Sequence, residues 1–271
     1  MKDEYLLPKD RATINATCRS LYHTHPIVNS IINSHSSIPT NYMDIALPEQ
    51  TNAHNLFERQ INSINLLSKL EDIIREYWLV GEAFVYMGLD EKTGMWSDCV
   101  IQNPDYVKVT RRAEKISYSL RPDEELRRIV QSKEESDIAA TKMMNETIIG
   151  HIKNGENIPL DSFYLSHIIR RISPYEIRGS SILVPILKTL LSNDIKDDEI
   201  TSEKIRECLM DPFFNDSVNM NKIQAAYRSL FVEIEQFVQK KVFDPIAKMN
   251  SLTTTPTLKF RLNDIMKDLK E

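Results

Sequence analysis

Tyr77-Trp78-Leu79-Val80-Gly81-Glu82-Ala83-Phe84-Val85-Tyr86 is the stretch that decides the fold. Upstream of it, Phe57, Ile61, Ile64, Leu67, Leu70, Ile74 and Trp78 step by three or four residues, the spacing of an amphipathic helix face. Glu58, Arg59, Lys69, Glu71 and Arg75 fall on the other side. The pattern predicts one helix over 53–80, about 42 Å long at 1.5 Å per residue. Gly81 ends it, and the apolar period then drops from about 3.6 to about 2. Ala83, Val85 and Met87 alternate with Phe84 and Tyr86, and both sets are apolar. That predicts a strand covered on both faces.

Downstream, Asp90-Glu91-Lys92-Thr93-Gly94 is turn-rich, so Met95–Ile101 is expected to pair back as a hairpin. After Pro104, extended segments are expected at 106–110 and 116–120. Pro122-Asp123-Glu124-Glu125 opens a charged helix over 122–131, with acids at the positive end of its dipole. The polar stretch 132–157, with a weak helical pattern at 136–146, is expected to be an exposed insertion or mobile segment. Phe163, Leu165, His167 and Ile169 alternate as a further strand. Arg178-Gly179-Ser180-Ser181 then leads into an apolar helix over 182–192, with a serine cap and Pro185 in its first turn.

At the flanks, residues 1–25 are polar with scattered apolar positions. Pro26, Ile27, Val28, Ile31 and Ile32 predict a helix over 26–37 that Pro39 stops. Met43, Ile45 and Leu47 predict a short strand. Ile223, Tyr227, Leu230, Phe231, Ile234, Phe237 and Val238 predict a strong helix over 222–243. An extended segment at 257–261 and a short terminal helix follow. The fold class is α+β: long helices packed with a small mixed or antiparallel sheet. The expected division is 1–52, an N-terminal arm and helix; 53–193, the body; and 194–271, a C-terminal helical region.

The 271 residues carry a net charge of −5. A protein that grips nucleic acid by neutralising phosphates is normally basic, so tight wrapping of DNA is not expected. Six glycines disfavour phosphate-cradling loops and all-β folds. Cys18, Cys99 and Cys208 are widely separated and odd in number, which reads as reduced thiols in an intracellular setting. No apolar run nears the ~20 residues that span a bilayer, and no secretory leader pattern follows Met1. A soluble protein assembled in the cytoplasm is expected, with no membrane partner.

Each constellation that could carry chemistry has a plainer reading. His23, His25 and His35 lack the close spacing of a zinc site. His167 sits among apolar neighbours, as a satisfied core or interface histidine would. Ser180 and Ser181 lack the glycine spacing of a nucleophile elbow and read as a helix cap. Glu82, Asp90 and Asp98 lie around the first hairpin and could hold magnesium for a nucleic-acid-processing enzyme built on the 82–120 sheet, but turn formers and solvated strand positions are commoner. Arg170, Arg171, Arg178 and Lys188 form the one locally basic tract, read as a face for a neighbouring subunit first, as an ordinary salt-bridged surface second and as a contact for DNA phosphates third. No catalytic residue, metal or cofactor is assigned.

The order of the pieces carries more than any one of them. A helix running into Gly81-Glu82-Ala83-Phe84, a hairpin, Asn103-Pro104-Asp105-Tyr106-Val107, then a strand with His167-Ile168 and Arg178-Gly179-Ser180-Ser181-Ile182-Leu183 resembles the portal proteins of tailed bacteriophages. The resemblance covers residues 55–192. It implies Gly81, Pro104, Gly179 and Ser181 as structural motif positions in a wing-type body. It also implies a non-enzymatic ring, usually of twelve copies, at one capsid vertex of the virion. Such a ring contacts the major capsid protein, docks the terminase large subunit and later the head-completion or tail adaptor proteins, and passes double-stranded DNA through its channel. An acidic conduit suits that role, because it lets the duplex slide. After Asn193 the likeness thins, and the stem and clip portion is expected to be reduced or absent. A metal-dependent enzyme and a monomeric adaptor are the competing readings.

Overall fold

The computed structural model describes residues 10–47, 51–90, 93, 95–113, 115–142, 144–170, 175–185, 187 and 217–269. The fold is α+β, as expected. The described strands form three small antiparallel sheets: β1 (Met43–Ala46) with β8 (Thr257–Phe260); β3 (Met95–Gln102), β2 (Glu82–Asp90) and β7 (Leu165–Ile169) in that order; and β4 (Val107–Arg112), β5 (Lys115–Leu120) and β6 (Ile158–Leu160) in that order.

Strand β2 lies at the centre of its sheet. Ala83, Val85 and Met87 face the main core, among the buried side chains of α4 (Leu66–Leu79) such as Ile73 and Ile74. Phe84 faces the other way, into a second core with Val107 and Leu165 that β4 and β5 close over. Hence both faces are apolar. The sheet is a wall between a helical layer and the smaller β4-β5-β6 layer. α2 (Pro26–Asn41) packs along α4, and α8 (Ser217–Phe237) completes the helical core through Tyr227, Leu230 and Ile234.

The predicted helix over 53–80 is two helices. α3 (Thr51–Ser63) and α4 are separated at Asn65, whose φ of 49° is left-handed. The break changes which leucine is inside: Leu66 is 1% exposed, whereas Leu67, assigned to the apolar stripe by spacing, is 50% exposed. Gln60 helps hold the end of α3, donating from Nε2 to the carbonyl of Trp96 at 2.8 Å. The helix expected over 222–243 is likewise subdivided. α8 passes into a π-helical stretch, Val238–Phe243, and then α9 (Asp244–Met249). Pro245 cannot donate to the carbonyl four residues back, and the wider π turn accommodates that gap while keeping Val238, Val242, Phe243 and Ile246 buried.

The polar N-terminal region contains α1 (Arg11–Thr24), capped by Asp10, whose carboxylate accepts from Thr13 N at 3.0 Å. α2 continues to Asn41, so Pro39 sits in its last turn instead of stopping it. The stretch 132–157 is largely exposed, as expected of an insertion, and carries two helices; with α5 (Glu124–Gln131) and β6 it forms a lobe. α6 (Glu135–Lys142) buries nothing, while α7 (Glu146–Lys153) packs Ile152 against Val130 and Ile158. The last described helix is α10 (Leu262–Asp268). No helix among the described residues is long and apolar enough to cross a membrane.

Candidate functional site

Three sequence stretches meet at the start of β2. The backbone comes first. Gly81 has φ +93°, a conformation that suits glycine. A Cβ on Gly179 would stand 1.7 Å from the Gly81 carbonyl oxygen, and a Cβ on Gly81 would stand 2.3 Å from the carbonyl carbon of Ser180. Only two glycines let these segments approach so closely. The backbone N–H of Arg170 donates to Gly81 O at 2.8 Å, and that of Ser180 to Arg170 O at 3.2 Å, so β7 joins the same seam. Ser181 Oγ donates to Leu79 O at 2.6 Å and accepts from Leu183 N at 3.0 Å. The serine therefore caps the following turn, as expected, and ties it to the end of α4. Val184, Pro185 and Leu187 are helical; the rest of the expected helix 182–192 lies outside the described residues.

The side chain of Glu82 is fully buried at this seam. Arg178 meets it through Nη2 at 2.5 Å and Nε at 2.8 Å from Oε1. The remaining Arg178 donors reach the carbonyls of Val107 at 2.9 Å and Pro104 at 3.0 Å. His167 Nε2 lies 3.0 Å from Glu82 Oε2, and the Gly179 N–H donates to the same oxygen at 3.1 Å. Arg11 of α1 closes the outer side, with Nη1 3.2 Å from Glu82 Oε1 and 2.7 Å from Gly179 O. The ring of Phe84 lies here too: His167 stacks on it at 4.1 Å, and the Arg178 guanidinium sits 5.3 Å from its centroid. Burial would raise the Glu82 carboxyl, but the hydrogen bonds from His167 and Arg178 and their charges outweigh it and hold it down at about 2.

These positions re-assign the sequence candidates. Arg178 and Arg170 do not point outward. Arg178 clasps Glu82, and Arg170 donates from Nη1 to Ser180 O at 2.8 Å with its guanidinium 6.0 Å from the centre of the Trp78 ring. Burial lowers the Arg170 pKa. Each therefore has acceptors inside the chain. Arg171 and Lys188 lie outside the described residues. Gly81, Pro104, Gly179 and Ser181 all lie at the seam. By spacing alone Glu82 reads as a candidate metal-binding carboxylate, and nothing in the sequence singles out Arg11. The chemical signal for Glu82 was a lone acid opening an otherwise apolar strand; Arg11 gave none.

The carboxylates of the enzyme reading do not converge. Six residues of strand separate Glu82 from Gly88, the residue paired with Asp98, which is roughly 20 Å of extended chain. Asp98 is exposed and accepts from the backbone N–H of Cys99 at 2.7 Å. Asp90 accepts from the Thr93 hydroxyl at 2.8 Å. Among the described residues, no group of three or more His, Cys, Asp or Glu side chains is placed to hold a metal ion. What the arrangement around Glu82 does is mechanical: it fixes β2, the 104–107 turn and the 178–181 connector to one another.

No family model matches the chain, and no curated protein matches it. Among solved structures, it is similar to a chain of a virion of a native gene transfer agent (GTA) particle, at 12% identity and a TM-score of 0.46, over 94% of this chain and 85% of that one.

Proposed function

We propose that this chain is a structural subunit of a tailed-phage portal ring at the capsid vertex. It would form the channel for genome packaging and ejection and would dock the terminase and, later, head-completion proteins. One observation carries the reading. The separate stretches that resemble portal proteins, Gly81–Phe84, Asn103–Val107 and Arg178–Leu183, meet at one buried carboxylate. Residues 96 apart in sequence are joined there. This accounts for the order and composition of the motifs: two glycines for the backbone approach, an arginine for the glutamate, and the 104 and 107 carbonyls for its remaining donors. It is a joint, and a ring subunit needs stiff joints, since head-to-tail contacts close only if every copy holds the same shape.

The reading predicts that the purified chain assembles. Native mass spectrometry and negative-stain imaging across a concentration series test this. Closed rings, expected at twelve copies, support it. A strictly monomeric species at high concentration overturns it.

A further inference from the structure

α1 is seated on the body differently from the helices beneath it. α2 buries Val28, Ile31, Ile32, His35, Ser36 and Pro39, and α4 buries an apolar set from Leu66 to Leu79. α1 buries Asn15 and Cys18, with Ile14, Leu21 and Tyr22 half-buried. Its other contacts are polar, and they fall at 11, 15, 18 and 19, along one face. Arg11 reaches Glu82 Oε1 and the Gly179 carbonyl, Asn15 donates to Asp105 Oδ1, and Arg19 meets both oxygens of Glu76. The Cys18 thiol lies against Ser181. α1 carries two arginines and no acid, and the seat below it presents the carboxylates of Glu76, Glu82 and Asp105.

Three features let this helix leave without dismantling what lies beneath. First, no acid of the seat is orphaned. Glu82 keeps Arg178, His167 and the Gly179 N–H, while Glu76 and Asp105 are already partly exposed and take water in place of α1. Second, a single extended residue, His25 (φ −108°, ψ 111°), joins α1 to α2. Pro26 then opens α2 with no N–H to satisfy, so α2 does not need α1 continued into it. Third, the two ends of α1 are held unequally. Near the hinge, the Tyr22 hydroxyl donates to Asn33 Oδ1 at 2.7 Å and Asn29 Nδ2 to Tyr22 O at 3.3 Å, which ties that end to α2. The other end rests on the ion pair of Arg11, whose side chain is partly exposed and whose attraction salt weakens.

We propose that α1 is a strap over the joint, which lifts from the body about His25, Arg11 end first, while the rest of the fold stays intact. Closed, it covers the outer side of the Glu82 clasp and shields Cys18. Open, it bares an acidic seat formed by Glu76, Glu82 and Asp105, together with its own thiol. Elements held by few buried apolar groups open at free energies well below that of global unfolding. A helix of 14 residues released from its seat is marginal in water, so lifting and melting of α1 go together. The strap stands on the contacts of α1 alone, whether or not the chain closes into a ring.

Cys18 reports the opening. Burial raises its thiol pKa and keeps it unreactive under the closed strap. Cys99 in β3, also free and buried, is the internal reference for unfolding of the body. The dilute full chain is alkylated with N-ethylmaleimide at neutral pH, and each cysteine is followed by peptide mass spectrometry. Cys18 is expected to react at least about tenfold faster than Cys99, with a rate nearly independent of low urea, as a local opening requires. R11Q/R19Q removes the two charged anchors and is expected to speed Cys18 about tenfold while leaving Cys99 within about twofold. The control K248Q/K259Q removes the same charge from exposed sites elsewhere and is expected to change neither rate. Circular dichroism verifies that the variants are folded. Should R11Q/R19Q not fold, the unaltered chain in about 1 M salt decides: Cys18 is expected to quicken about threefold and Cys99 to keep its rate. The inference is overturned if Cys18 and Cys99 react at one rate with the same urea dependence. It is overturned equally if the removal of the anchors, or the salt, leaves Cys18 unchanged or speeds both cysteines alike, because α1 then opens only with the body.

Discussion

Two polar groups are buried in this protein in opposite ways. At the head of β2, Glu82 keeps its charge inside the fold because two guanidinium groups, an imidazole nitrogen and a backbone N–H surround it. In the helical core, His35 of α2 is 2% exposed and lies against the rings of Trp78 and Tyr227, its Nδ1 2.5 Å from the Tyr227 hydroxyl. Burial alone drives His35 down to about 4, so it is neutral at neutral pH. Burial also raises the Tyr227 phenol, which keeps that partner uncharged too. The contrast separates two uses of polarity. A charge is retained where it must bind stretches distant in sequence, since it can accept from several donors at once. A neutral pair is used where α2, α4 and α8 have to pack.

The comparison breaks most severely at Glu82. E82Q leaves the shape and removes the charge, so Arg178 and Arg11 lose their counter-ion. Removing one partner of a buried pair costs roughly 3–5 kcal/mol, and denaturant unfolding of E82Q is expected to show a loss of that order. The carboxyl is held near 2 in the fold against an ordinary 4.5. Its contribution is therefore present above pH 4.5 and is lost as pH falls from 4.5 towards 2. E82Q should lack that acid-dependent decline. A variant as stable as the unaltered chain at pH 7 would show that the clasp is ornamental.

The joint was partly legible and partly not. The change of period at Gly81 marked the end of α4 and the start of β2, and apolar residues at both alternations marked β2 as a wall. Gly81, Pro104, Gly179 and Ser181 stood out as punctuation, and all four lie at the seam. The pairing of Glu82 with Arg178 could not be read, because a contact 96 residues long leaves no local trace. The arginines looked like surface charge, since composition does not say which cation is turned inward. The break at Asn65 was hidden for another reason. Leu66 and Leu67 are equally apolar, so an unbroken helical stripe fits the sequence as well as an interrupted one, and only the left-handed turn decides which leucine is buried. The π stretch before Pro245 was hidden likewise, because its apolar residues also satisfy an α-helical spacing.

The neutral pair gives a smaller effect in a different pH window. Unfolded, His35 takes up a proton near 6.5, whereas in the fold it resists until about 4. The unfolded chain binds more protons between those values, so stability is complete above pH 6.5 and falls by roughly 3 kcal/mol as pH drops to 4. H35F keeps an aromatic ring and removes the titration. At pH 7 it is expected to cost about 1–3 kcal/mol for the deprived Tyr227 hydroxyl, while the slope between pH 6.5 and 4 flattens. Urea midpoints measured at several pH values on the unaltered chain, E82Q and H35F resolve the two windows. If H35F retains the full slope above pH 4.5, the titrating group there is not His35.

The smallest effect separates members of the clasp itself. Arg11 and Arg178 both touch Glu82 Oε1, but the Arg11 side chain is 37% exposed and that of Arg178 is 19% exposed. Arg178 also holds the Pro104 and Val107 carbonyls, whereas among the described residues Arg11 holds the Gly179 carbonyl besides the acid. Water replaces the outer arginine more readily than the inner one, so R11Q is expected to cost no more than about 1 kcal/mol, with much of that screened by salt. The local consequence should be larger than the global one. α1 is joined to the body through Arg11 to Glu82, Asn15 Nδ2 to Asp105 at 2.6 Å and Arg19 to Glu76 at 2.7 and 2.9 Å. Losing the first contact loosens that helix at its N-terminal end. Hydrogen exchange of R11Q should quicken in the first turns of α1 and leave β2 and β7 unchanged. If β2 and β7 quicken equally, Arg11 belongs to the joint and not to its cover.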